Sequence, residues 1–422
     1  MQTSTALLIF QSFFFDACAL TTLIAPGAES QWKYFDGAEA AAPEWREISF
    51  DDSEWKSGKA PLGYGERELN TTISFGGDSK AKRITAYFRH SFEFKKTEDV
   101  REFAFLIRQD DGAVVYLNGK EIYRYNLPAG EVQFDTRANR TLDGHREDRY
   151  RRILVPVTAL KPGKNVVAAE VHQSGPRSSD LIFDLVLRGY GEKDVFVPGK
   201  VPQSARTVTE AYHQKHYVGP GMTIPDGYSD GGRGMKLYPN GAIRTYREVI
   251  VLDRSKDAAL RKHIEFATSK EIEKLPPEER AKRIARYIDQ DMSPPRGRSF
   301  SGGPVGVMES EYANRQVLLG EISTRYGAGV CRHRSLLFKV MGDAAGLDVA
   351  LVRGKYKHRY NRGFGGHAWN ELILKNGKKF IVDVTRPSED FSFLDATSQK
   401  AVERYLDTKT NRIYQPTKAE QN

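Results

Sequence analysis

Two cysteines, Cys18 and Cys331, are all that the 422 residues contain. That excludes a disulfide-stapled scaffold and an all-cysteine zinc site. Long apolar runs are equally scarce. The longest, Ala6 to Ile24, is interrupted by Gln11, Ser12 and Asp16 and makes a poor membrane span. No internal repeat and no heptad array appear, which removes solenoids and long coiled coils. What remains fits a soluble globular protein: 39% hydrophobic and 28% charged residues. At roughly 100–200 residues per domain, the length predicts two to four domains. Lys plus Arg number 64 and Asp plus Glu 55, a net charge of +9. Charge alone does not choose between a nucleic acid, an anionic surface and no partner at all, and no nucleic-acid recognition motif accompanies it.

Residues 1–29 read as a secretory signal with small residues at Pro26-Gly27-Ala28 as the cleavage site. No Lys or Arg precedes the apolar run, and Asp16 sits inside it. The alternatives are a disordered or core-packed N-terminus and, more remotely, lipidation at Cys18. Export places the chain in the periplasm, at the cell surface or outside. Cys331 is then the lone thiol of the mature protein, either a core residue or a reactive group.

Residues 31–190 read as all-β. Short runs recur at Tyr87–Phe94, Phe103–Ile107, Ala113–Leu117, Glu121–Tyr125, Asn165–Val171 and Leu181–Leu187. Asn118-Gly119 between two of them is a two-residue hairpin signal. The spacing predicts a jelly-roll sandwich. Gly191, Pro198, Gly199 and Pro202 mark a linker over 191–207, and an α+β domain follows over 208–415. Within it, a hairpin is expected around Asn240-Gly241. Helices are expected over Asp257–Ala267 and Pro277–Met292, with residues 296–310 as a loop. Ala281, Ile284 and Ile288 share one face of the second helix.

The densest chemistry lies between Gly327 and Pro387. Gly327-Ala328-Gly329-Val330 leads into Cys331, and Leu336, Leu337, Val340, Met341 and Ala344 then form a helical stripe ended by Gly346. Cys331 therefore sits at a helix start, where free N–H groups and the macrodipole favour a thiolate. His367 begins the strand His367–Leu374, and Asp383 lies on its partner Lys379–Val384. Turn parity decides whether they meet. A two-residue turn at Asn376-Gly377 sends Asp383 to the opposite face. A three-residue loop, Lys375-Asn376-Gly377 with Gly377 left-handed, pairs Leu374 with Lys378 and makes His367 and Asp383 diagonal neighbours. The three-residue loop is predicted. Cys331 is then the nucleophile, His367 its base and Asp383 the group that orients His367. The Cys331 N–H is an oxyanion donor, with Gln316, Tyr326 and Trp369 as side-chain candidates. His358 is a less favoured base, and His333, two residues along the same helix, does not face Cys331. The spacing of Cys331, His333 and His367 is not a known zinc pattern, and no cofactor is called for. A calcium near Asp110 and Asp111 is a remote alternative.

Cysteine on a helix start, histidine on a strand and aspartate on the next strand resemble the transglutaminase-like superfamily, a papain-like fold. The run from Gly329 to Lys339, with Leu351-Val352-Arg353-Gly354, His367-Ala368-Trp369-Asn370 and Ile381-Val382-Asp383, resembles more narrowly the peptidase-like domain of plant Raf-like kinases and some armadillo-repeat proteins. The resemblance implies hydrolysis or amide transfer. It leaves Arg332, His333 and Arg334 either as holders of acidic partners or as substrate contacts. Asp110-Asp111-Gly112 through Asn118-Gly119, with Phe50–Trp55 and Ala60–Gly65, resembles the galactose-binding-like sandwich of secreted bacterial enzymes. That implies glycan or surface attachment, against a plainer reading in which the tryptophans are core.

The expectation is thus an exported cysteine peptidase, amidase or transglutaminase-type acyltransferase acting on a peptide or glycopeptide, localised by its sandwich. A non-catalytic glycan- or peptide-binding protein is the alternative. From Cys331 to Lys379 there are 11 Lys plus Arg against 3 Asp plus Glu, so 11 − 3 = +8, nearly the whole excess of the chain. A field of that sign predicts a favoured thiolate and an anionic substrate.

Overall fold

The computed structural model describes residues 21–66, 68–95, 100–142, 150–191, 217–232, 235–237, 243–245, 247–292, 303–313, 315–357, 364–385 and 392–406. The expected linker beyond Gly191, the tip at Asn240-Gly241 and His358 lie outside these residues, as do residues 1–20.

Two six-stranded sheets make the N-terminal part. One runs Arg151–Val155, Val100–Gln109, Leu181–Gly191, Leu62–Tyr64, Thr71–Thr72, with Thr21–Ile24 also paired to Leu181–Gly191. The other runs Lys56–Lys59, Gln31–Phe35, Thr85–Phe94, Gly163–His172, Gly112–Leu117, Lys120–Tyr125. All six runs anticipated from alternation are strands. Alternation also explains the core: Phe103, Phe105 and Ile107 meet Phe183, Leu185 and Leu187 between the sheets. At Asn118-Gly119 both residues have positive φ, 54° and 81°, and Leu117 pairs with Lys120, so the turn has two residues. Ile24 is buried in this core, and the Gly27 N–H donates to Asp184 at 3.3 Å. Cleavage at Pro26-Gly27-Ala28 would therefore detach a paired strand from the sandwich.

A second, α+β part follows. Its main sheet runs Tyr217–Val218, Val349–Lys357, Phe364–Ile373, Lys379–Asp383, Ser392–Asp395, with Tyr405–Leu406 also on Val349–Lys357. Helices Ala258–Ala267, Pro277–Met292, Leu319–Tyr326 and Cys331–Ala344 cover it and one another. Asp257 caps the first of these: its carboxylate accepts from the Leu260 N–H at 2.9 Å and, across the helix pair, from the Gly320 N–H at 2.7 Å. Ala281, Ile284 and Ile288 are buried together, as their spacing predicts.

Two expectations change. Residues 303–311, expected as loop, are the helix Gly303–Glu311. Gly306 between two β-branched valines gives this stretch low helix propensity, but Val305, Val307 and Met308 are buried, and burial prevails. The sandwich is also more than an appended module. Leu106, Tyr150 and Val186 on its outer face belong to the same apolar cluster as the helices. Glu311, at the end of the unexpected helix, accepts from Arg188 (2.6 Å) and Tyr190 (2.6 Å) of the sandwich and from the Tyr326 hydroxyl.

Candidate active site

The site begins with a chain reversal. Gly327, at φ 54°, closes the helix Leu319–Tyr326, a left-handed position that glycine takes without a Cβ penalty. Ala328 and Gly329 then carry the chain to Val330, the extended residue before the next helix. Valine has no oxygen with which to cap, and His333 supplies the contact: its Nδ1 accepts the Val330 N–H at 3.0 Å. Cys331 is the first residue of the helix, half-buried, with the positive end of the helix dipole behind it.

The strand pair behind it is Phe364–Ile373 with Lys379–Asp383. Ile373 pairs with Lys379 and Asn370 with Val382. The Leu374 N–H donates to the Lys378 carbonyl at 2.8 Å, and Gly377 has φ 84°. The connection is therefore the three-residue loop Lys375-Asn376-Gly377. Continued along the strands, this register sets Asp383 opposite Trp369 and on the face of His367. His367 Nε2 and Asp383 Oδ2 are 2.8 Å apart.

The His367 imidazole and the Ala368 N–H both act on the Cys331 sulfur and favour its thiolate. With Nε2 engaged by Asp383, Nδ1 is the ring nitrogen left for sulfur. Burial pushes the thiol pKa up, but the bond to His367, its charge and the Ala368 N–H outweigh burial, and the net shift is downward. Burial pulls His367 down, yet the Asp383 charge and its hydrogen bond, with the Cys331 contact, raise it to about 10. Burial alone would raise Asp383; the His367 charge and bond, the Tyr405 hydroxyl and the Thr385 N–H hold it below the usual carboxylate range. All three shifts run in the direction of a thiolate–imidazolium pair beside a carboxylate.

Arg332, His333 and Arg334 are structural. Arg332 bonds the Asp230 carbonyl (3.0 Å) and the Glu248 carboxylate. His333 Nε2 reaches the same Glu248 oxygen at 2.7 Å. Arg334 bonds Asp289 (3.0 Å) and the carbonyls of Met292 (2.8 Å) and Val384. Lys339 and Arg353 pair with Asp343 (2.7 Å) and Asp230 (3.2 Å). This corrects the expected field. Four of the 11 cations counted near Cys331 are neutralised inside the fold, three of them by acids outside the counted stretch. Lys355, Lys357, Lys375, Lys378 and Lys379 are exposed, and Lys378 also meets Asp395 at 3.3 Å.

Two of the oxyanion candidates have other work. The Tyr326 hydroxyl is held by Glu311, and Trp369 is fully buried with its ring stacked toward His367 at 6.2 Å. Gln316 lies on the short strand Gln316–Leu318, paired with Val249–Val251. The sequence reading missed Tyr405. Its hydroxyl donates to Asp383 Oδ2 at 2.8 Å, and with Tyr356 and Trp369 it packs around His367. Its one local signal is a short helix, Gln399–Arg404, capped by Ser398 and ending beside it.

In the sandwich, Trp32, Trp45 and Trp55 are all buried and belong to its core. The Asp111 carboxylate accepts the N–H groups of Leu142 (2.5 Å) and Ser174 (2.7 Å) and so fastens two loops. Beside them, Thr141, Leu142 and residues 174–180 line an open cavity of about 610 Å³. Among the described residues, no three His, Cys, Asp or Glu side chains converge as a metal-ligand set, and no helix is long and apolar enough to cross a membrane.

Comparison with known proteins bears on the helix–strand part. Residues 235–388 match the EDR1/CTR1/ARMC3 peptidase-like family. Human armadillo repeat-containing protein 3 is 36% identical over 67 residues, which is 16% of this chain and 7% of that protein, so the chain spans only a small part of the relative's length. The peptidase-like resemblance is thus supported, over the segment that holds Cys331, His367 and Asp383. Among solved structures, a β-glycosidase from Bacteroides vulgatus is 16% identical with a TM-score of 0.27, covering 40% of this chain and 20% of that one. A β-glucuronidase from Bacteroides uniformis is 16% identical with a TM-score of 0.26, covering 38% and 17%. Likenesses of that degree carry no functional weight.

Proposed function

We propose that the protein is a thiol enzyme that cleaves or transfers the acyl group of an amide through Cys331, His367 and Asp383. One observation carries the reading: the imidazole that acts on a half-buried thiol at a helix start is itself held by a buried carboxylate at 2.8 Å. The match to a peptidase-like family supports it. In this reading the fold around the site is transglutaminase-like.

The Cys331 thiolate attacks the amide carbonyl carbon and forms a C–S bond, while the carbonyl electron pair moves to oxygen. The Cys331 backbone N–H, unpaired within its helix, faces that oxyanion. Collapse re-forms the carbonyl and breaks the C–N bond, and His367 gives its proton to the departing amine. Water or a second amine then attacks the thioester, His367 takes a proton from it, and the thiolate is restored. Asp383 keeps the imidazole aimed throughout. Export of the chain, and attachment to a glycan-bearing surface through the sandwich, belong to the same proposal. A peptide or glycopeptide is its substrate class.

The test is acylation by an activated ester, p-nitrophenyl acetate, followed by intact-mass and peptide mass spectrometry. The expected result is stoichiometric acetylation of Cys331, lost in Cys331→Ala, with the thioester turning over in water or an added amine. An unmodified Cys331 would instead point to a non-catalytic binding protein.

A further inference from the structure

The peptidase-like family match ends at residue 388, but the environment of Asp383 does not. Beyond the match, Ser392–Asp395 pairs with Lys379–Asp383, Ser398 caps the helix Gln399–Arg404, and Tyr405–Leu406 joins the far side of the sheet against Val349–Lys357. The chain thus crosses from one side of the His367 strand to the other. Tyr405, paired with Tyr356, is 1% exposed, and its ring lies 5.1 Å from Trp369 and 6.5 Å from His367. Its hydroxyl donates to Asp383 Oδ2 at 2.8 Å, the same oxygen that meets His367 Nε2. The other carboxylate oxygen is fixed by the Thr385 N–H at 3.1 Å.

We propose that Tyr405 is a positioning residue of the site: its hydroxyl locks the rotation of the Asp383 carboxylate that orients His367, which makes the C-terminal segment 392–406 a working part of the active centre. The proposal rests on the thiol-enzyme reading above. A carboxylate held by one backbone N–H and the imidazole alone can turn about its Cβ–Cγ bond. A third donor on the oxygen that meets His367 fixes that oxygen in the imidazole plane. Burial makes the contact count, because no water competes for the position. The hydroxyl also favours the ionised carboxylate, which is the form that holds an imidazolium.

Tyr405→Phe removes the hydroxyl and keeps the ring between Tyr356 and Trp369. The measurement is the pH profile of Cys331 alkylation by iodoacetamide, together with p-nitrophenyl acetate acylation, in the full chain of wild type, Tyr405→Phe and Asp383→Asn. Loss of one positioning hydrogen bond predicts acylation about 3–10-fold slower near pH 7. The alkylation midpoint should rise in the direction of the Asp383→Asn midpoint but less far, with an unchanged circular-dichroism spectrum. Tyr405→Leu, which also loses the ring, should be slower still. A shifted wild-type profile that Tyr405→Phe reproduces at equal acylation rate would overturn this inference and leave the site's reading intact. A wild-type profile of an ordinary thiol would overturn both. If Tyr405→Phe fails to fold, the phenol acts as a structural member of the core, and the positioning role is likewise overturned.

Discussion

Two histidines of this protein each touch a buried carboxylate, His333 to Glu248 at 2.7 Å and His367 to Asp383 at 2.8 Å, yet they are driven in opposite directions. For His333, burial comes first and lowers the pKa, and the Arg332 charge adds to it against the pull of Glu248. Its Nδ1 already accepts the Val330 N–H, so a second ring proton would face a donor. Arg332 supplies the cation that Glu248 needs, and Glu248 sits at about 2 despite its burial. His333 is therefore a neutral strut. His367 has acceptors on both sides, a carboxylate and a thiol, and is raised to about 10. Distance to a carboxylate is the same in both; what differs is the partner of the second ring nitrogen and the presence of a competing cation. One pair holds the Cys331 helix in place, and the other lowers the pKa of the thiol at its tip.

That contrast can be broken most severely at His367. His367→Ala should lower the acylation rate by about 10³-fold or more in a folded protein, as loss of a base that works as a unit with its nucleophile does. Stopped-flow acylation with a thermal melt on the same sample checks both halves. Glu248→Gln should do the reverse. It leaves buried Arg332 with the more distant Asp230 carboxylate, at 3.8 Å, in place of its close Glu248 partner, a change that costs about 1–3 kcal/mol in urea unfolding, while the alkylation midpoint of the remaining folded protein stays where it was.

Asp383 itself offers the next test. Asp383→Asn keeps the strand register and removes the charge that aims His367. Acylation should fall on the order of 10²-fold below wild type. A variant as fast as wild type would mean that Asp383 does not orient the base. The smallest effect sharpens the comparison without breaking it. Glu311→Gln weakens a buried tie between the sandwich and Tyr326 and should cost about 1–3 kcal/mol of stability, with little change in the alkylation midpoint. NMR of the imidazoles provides the direct companion: His367 should stay cationic through pH 8, and His333 should titrate below a free imidazole.

Much of this was legible in the chain. Cys331 followed by the Leu336–Met341 stripe is a helix start whatever surrounds it. The register that brings Asp383 to His367 followed from the requirement that two side chains share a face, and Gly377 makes the required loop. The two Asn-Gly pairs show the limit of local signals: Asn118-Gly119 is a two-residue turn, and Asn376-Gly377 is the end of a three-residue one. The partners of Arg332 and Arg334 could not be read, because Glu248 and Asp289 lie 84 and 45 positions away in the chain. The concentration of positive charge was therefore mistaken for a surface field. The helix Gly303–Glu311 was hidden because tertiary burial, and not propensity, makes it. Tyr405 has no local signal beyond the Ser398-capped helix before it; the return of the chain across the sheet puts its hydroxyl on Asp383.

The central claim of the proposal is that His367 shifts Cys331 toward the thiolate. The rate of Cys331 alkylation by iodoacetamide between pH 5 and 10, followed by peptide mass spectrometry, tests it most directly. The account predicts a midpoint below the free-thiol value of about 8.5, moved up by Asp383→Asn. A profile that climbs through 8.5 or above, as for an ordinary or merely buried cysteine, would contradict it.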